Sequence, residues 1–226
     1  MEHKIKERPI LFNAEMVCAI LEGKKTQTRR ALKNQENYLT WNCATRVSES
    51  DYLREFLPGA VESTFVLQEN SGELVDSKWQ PVSCPLGKIG DQLWVREAIQ
   101  ATQDGMRFGV KYLADEKTQW LGRDYDEKWL SMYDYRGAAG ATIPSIHMRR
   151  WASRIQLEIT NVRLESLRSI TEQDAMAEGV TQEQITPLVK RTAYSEFKNL
   201  WCSTYGGDNW DWDPWVWVIE FKRLTP

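Results

Sequence analysis

Two histidines, His3 and His147, are all the imidazole this chain has, and its four cysteines, Cys18, Cys43, Cys84 and Cys202, are scattered without a CxxC pair. Neither a zinc knuckle nor a disulfide framework is written here, and chemistry that needs several imidazoles is excluded. Base and nucleophile must come from other side chains. The densest candidate is Gly23–Arg30, GKKTQTRR. Lys25, three residues before Thr28, can bring an amine near a hydroxyl. Burial beside the like charges of Arg29 and Arg30 would depress the lysine pKa and release a neutral amine as base.

A second basic group, Arg149, Arg150 and Arg154, surrounds Trp151, in a chain whose formal net charge is -3. Such asymmetry suits a face that tracks phosphates, and ordinary salt-bridged surface is the alternative. Tryptophan is over-represented, with 11 residues. Trp94, Trp215 and Trp217 are expected inside a sheet, and Trp151, Trp210 and Trp212 partly exposed, where they could stack on a base. The segment Gly206–Pro214, GGDNWDWDP, holds Asp208, Asp211 and Asp213 at spacings unlike an EF-hand loop. Carboxylates bonding backbone in a turn are the expectation there, with no metal and no cofactor.

These groups must be held by a chain of 226 residues, 42% hydrophobic and 27% charged, a globular balance expected to give one domain with insertions. The longest strongly apolar run, Trp215–Ile219, is far short of the ~20 residues of a membrane span. The charged start, Met1–Arg8, lacks the apolar stretch of a secretory signal, so a cytoplasmic location is expected.

Asn13 can cap a helix bearing Val17, Ile20 and Leu21 on one face, stopped by Gly23. Gly90-Asp91 reads as a turn into a strand through Leu93, Trp94 and Val95, and Met106–Tyr112 as another strand. Ile155, Leu157, Ile159 and Val162 mark a half-buried strand. Thr171 with Asp174 makes a capping-box start to a short helix that stops at Gly179. Tyr194, Phe197, Leu200 and Trp201 share one helix face, closed by Gly206-Gly207, and Trp215–Phe221 is a final strand. Two loop-rich insertions, about 32–83 and 115–144, interrupt this order. The pattern predicts an α+β domain around a small mixed or barrel-like sheet.

The order of these pieces resembles the ASCH family of the PUA-like superfamily. The resemblance rests on GKKTQTRR after the first helix, GDQLWV from Gly90, ITNV from Ile159, Ile170-Thr171 leading to Asp174-Ala175 and Glu178-Gly179, and WVIEF from Trp217. It covers a little over half the chain. RPILF, CPLGKIGDQLWVRE, SIHMRRWASRI and WDPWVWVIEF look like the larger members often encoded by phages and prophages. The resemblance implies a compact β-barrel with flanking helices, whose cleft handles RNA, nucleotides or a modified base.

Small members of that family hydrolyse the acetyl amide of N4-acetylcytidine with a Lys, a Thr and a Glu, which fall here on Lys25, Thr28 and Glu178. A metal-free amidohydrolase acting on an acylated cytidine is therefore the leading expectation. Glu178, at the end of its short helix, would have its pKa raised by the helix dipole and carry a proton to the departing cytosine. Arg29, Arg30, Arg149, Arg150, Arg154 and Trp151 would bind the ligand, a nucleoside or single-stranded nucleic acid such as RNA. The alternatives are a non-catalytic RNA- or DNA-binding phage accessory module, and a ribonuclease using the same basic cleft.

Overall fold

The computed structural model describes residues 4–33, 41–46, 64–69, 79–122, 127–180 and 192–224. In chain order these form β1 (Glu7–Leu11), α1 (Ala14–Leu21), β2 (Gln27–Ala31), β3 (Trp41–Arg46), β4 (Thr64–Glu69), β5 (Trp79–Ser83), β6 (Gln92–Arg96), β7 (Ile99–Asp104), β8 (Arg107–Tyr112) and β9 (Thr118–Gly122). After them come α2 (Glu127–Tyr133), β10 (Thr142–Ile143), β11 (Gln156–Ser166), α3 (Glu172–Ala177), α4 (Ala193–Tyr205), α5 (Gly207–Asp211) and β12 (Trp215–Leu224). The protein is mixed α+β with several sheets. Among the described residues no helix is long and apolar enough to cross a membrane.

Local chemistry sets the ends of several elements. The Asn13 side chain accepts from the Met16 N–H at the start of α1, and Gly23 beyond its end has φ 74°, a conformation glycine adopts without strain. Thr171 and Asp174 cap α3 reciprocally, and Thr192 with Ser195 does the same for α4.

The chain divides into two compact units. The first comprises Met1–Lys6, Lys24–Gln92 and Glu158–Lys222. In it β12 runs antiparallel to β2, with Trp217 opposite Arg30, Val218 opposite Arg29 and Ile219 opposite Thr28. Its core gathers Leu167, Ala175, Phe197, Trp201, Val216 and Val218 between the helices α3 and α4 and one face of these strands. Trp210, expected partly exposed, is 3% exposed and belongs to this core, because Gly207–Asp211 coils into α5 and turns its ring onto Tyr194 and Phe197. Trp212 is 73% exposed, and Trp217 lies buried edge-on to Phe65. Asp213 accepts from the Arg168 N–H, so one carboxylate of the GGDNWDWDP segment bonds backbone as expected, though of a neighbouring segment.

The stretch expected to be an irregular insertion at 32–83 holds the antiparallel sheet β3-β4-β5. Each strand pairs with the next one in sequence, and the ladder lies between strands, where no period within a single segment announces it.

The second unit comprises Glu7–Gly23, Leu93–Leu157 and Arg223–Pro226. Its four-stranded sheet runs β10-β7-β8-β9, so the stretch at 115–144 also contributes regular structure: β9, α2 and β10. Trp129 from α2 enters the core beside Ile99, Val110, Tyr112 and Ile143, and its indole N–H donates to the Gly109 carbonyl at 2.9 Å. Gly109 lets β9 approach closely, since a Cβ there would lie 2.9 Å from the Gln119 oxygen and from the Trp120 ring. Trp94, expected inside a sheet, is only half-buried, as is Trp215 in the first unit.

Candidate active site in the first unit

Strand β2 and the end of α3 meet because the Thr26 N–H donates to the Ala177 carbonyl at 2.9 Å. That contact sets Lys25 against Glu178. The Lys25 ammonium donates to a Glu178 carboxylate oxygen at 2.8 Å and to the Glu178 carbonyl at 2.7 Å. Glu178 also accepts from Arg29 Nη1 at 3.3 Å. All three residues are buried, Lys25 at 2% and Glu178 at 4% exposure. Three expected site residues, on segments about 150 positions apart, are thus brought together.

Thr28 is placed differently. Successive side chains of a strand leave opposite faces, so Gln27 and Arg29 share the face turned to α3 while Thr28 leaves the other, with Ile219 beside it and Trp217 beyond. Thr28 is buried, and no hydrogen bond joins its hydroxyl to Lys25 or Glu178. Arg30, half-buried, lies on the Thr28 face, opposite Trp217.

Around Arg29 lies an ion network that sequence reasoning missed. Arg29 Nη2 stands 3.4 Å from Asp174 and 3.5 Å from Glu165, at ion-pair distance but without hydrogen-bond geometry, and its Nε and Nη2 have no hydrogen-bond partner among the described residues. Its guanidinium lies 5.8 Å from the Phe197 ring centroid. Arg163 pairs with Glu165 at 2.6 Å, with Asp174 at 3.4 Å and with Glu220. Arg163 and Glu165 sit two apart on β11, and that period-two spacing was the one signal in the sequence that could have found them.

Burial pushes the Lys25 pKa down, the like charges of Arg30 and Arg29 add to this, and the Glu178 carboxylate opposes it. For Asp174, burial pulls upward. The Thr171 backbone and hydroxyl bonds, with the Arg29 charge, outweigh it and hold the carboxyl below its usual range.

The other expected ligand residues belong to the second unit and are mostly engaged. Arg150 pairs with Glu7 at 2.8 Å. Arg154 donates to both Glu97 carboxylate oxygens at 2.8 Å and to Asp115 at 2.9 Å, and lies 4.0 Å over the Tyr112 ring. Burial, only partly offset by Arg154, pushes the Tyr112 hydroxyl up to about 12. Arg154 is therefore a structural cation, and Arg150 a neutralised one. Trp151 is half-buried against the core of the unit, and Arg149 is exposed.

Compared with protein-family models, curated proteins and solved structures, the chain matches none.

Proposed function

We propose that this chain is an ASCH-type, PUA-like protein that hydrolyses the acyl amide of an acylated cytidine nucleoside. The observation that carries the reading is the buried Lys25–Glu178 pair. At 2.8 Å the amine and the carboxylate are in direct proton-transfer reach, and burial lowers the Lys25 pKa toward the neutral amine that a base must be. An amine that can take a proton, touching a carboxylate that can pass it on, supplies the proton carriers that amide cleavage requires.

In this reading an oxygen nucleophile attacks the acyl carbonyl and gives its proton to the Lys25 amine. Arg29 Nε, which has no hydrogen-bond partner among the described residues, is the donor this reading gives to the oxyanion, while Nη2 already stands at ion-pair distance from Asp174 and Glu165. Collapse of the tetrahedral adduct breaks the C–N bond, and Glu178 passes a proton to the departing cytosine nitrogen; with water as nucleophile this releases carboxylate and cytidine, and with Thr28 it releases cytidine and leaves an acyl-threonine ester that water then hydrolyses to carboxylate. Thr28, on the far face of β2, attacks only if the ligand reaches round the strand; water attacks otherwise. Thr28→Ala decides: loss of turnover with Thr28→Ser active assigns the hydroxyl, and retained turnover assigns water.

A nucleoside is a better fit than a nucleic-acid strand, because Arg150 and Arg154 are already paired with carboxylates. The test is incubation with N4-acetylcytidine and, separately, with RNA, each followed by mass spectrometry. Acetate and cytidine with unshortened RNA are expected. No acyl product from any acylated cytidine, together with steeply salt-dependent RNA binding, would replace this reading by a binding module; shortened RNA would replace it by a ribonuclease.

A further inference from the structure

The second unit contains a cavity of about 310 Å³, within the size range of small-molecule sites. Its lining includes the apolar side chains Ile99, Met132, Ile143 and Met148. It also includes Arg96, Arg149, Tyr135, His147 and Ser131, and among the described residues no carboxylate contributes. Two cations facing a small space without a counter-charge favour an anion there.

Arg96 is held ready for one. Its Nη2 donates to the Ile146 carbonyl and its guanidinium lies 5.4 Å from the Trp94 ring centroid, yet its buried Nε has no hydrogen-bond partner among the described residues. The Tyr135 hydroxyl, on the same lining, is likewise buried and without a partner. Buried polar atoms are nearly always hydrogen-bonded, so two orphans at one cavity mark where a ligand oxygen would sit. Tyr135 and His147 add rings whose centroids are 5.7 Å apart.

We propose that this cavity binds a small phosphate monoester with a flat, largely apolar organic part. The phosphate would accept from Arg96 Nε, from Tyr135 and from Arg149, its double charge matching the two guanidinium groups. The organic part would lie against Ile99, Ile143 and the methionines. This site uses none of the Lys25 chemistry and stands whether or not that reading holds.

The test is calorimetric titration of the full chain with phenyl phosphate, inorganic phosphate and benzoate. Phenyl phosphate is expected to bind saturably and at least tenfold more tightly than either of the others. Arg149→Gln changes an exposed side chain and Tyr135→Phe keeps the ring, so both should fold, which circular dichroism verifies. Each should weaken phenyl phosphate binding fivefold or more. The proposal is overturned by absence of saturable binding, by equal affinity in both folded variants, or by inorganic phosphate or benzoate binding as tightly as phenyl phosphate.

Discussion

Lys25 is enclosed, and its ammonium donates twice to one residue, to the carboxylate and to the carbonyl of Glu178. Removing one member of a buried pair is worse than never having had it. Glu178→Gln leaves Lys25 and Arg29 without their shared carboxylate, and should lower stability by about 3–5 kcal/mol in urea unfolding. On the proposed function it should also cut turnover roughly a hundredfold. Lys25→Arg should abolish turnover outright, because a guanidinium does not give up its proton at any working pH. The lysine also sets a slope with pH. Its folded pKa lies below 10.5, so between the two values the unfolded chain binds the extra proton and stability rises with pH. Urea midpoints measured across that interval should climb for the wild-type chain, and Lys25→Met should remove that contribution.

Among the elements, β8 and β9 depend on one missing side chain. Gly109 admits the Gln119 carbonyl and the Trp120 ring at distances no Cβ tolerates. Gly109→Ala must push apart a backbone oxygen and an indole, and the same glycine's carbonyl anchors Trp129 from α2. A loss of about 1–3 kcal/mol is expected, read as a lower urea midpoint at unchanged slope. Gly105, in the adjoining turn at φ 57° with nothing near its absent Cβ, differs in kind: it is there for backbone conformation, not for room.

Across the whole molecule, both units keep carboxyls below their usual range. Hydrogen bonding and charge from Arg150 lower Glu7 against the opposing pull of burial; burial raises Asp115 but Arg154 and Lys117 outweigh it; Asp174 is held by Thr171 and Arg29. A depressed carboxyl contributes stability above its unfolded value, and that contribution disappears as pH falls through the folded one. Stability should therefore be insensitive to these groups near neutrality and decline on acidification below the ordinary values of 4.5 for Glu7 and 3.8 for the aspartates. Urea midpoints from pH 7 to pH 2 check this, and Arg150→Gln should shrink the Glu7 part of the decline.

Read alone, the sequence determined the elements whose signals are local. Asn13 and Gly23 bound α1, Thr171 with Asp174 starts α3, Gly90-Asp91 opens β6, alternation marks β11, and aromatic and β-branched residues mark β12. Each depends on residues a few positions apart, where capping and side-chain period act without the rest of the chain. The strands at 41–46, 64–69 and 79–83, and the core place of Trp210, were not legible, because pairing with the next strand and packing against other elements, not a period within the segment, decide them. The same holds at the site. Lys25 and Glu178 were legible as residue types in a family-like order, but only the tertiary structure decided that they touch, that Arg29 joins them, and that the pleat of β2 turns Thr28 away. It also decided that Arg150 and Arg154 are matched by Glu7, Glu97 and Asp115. A charge's partner depends on which strands pair and in what register, and neither is encoded within reach of the charge itself.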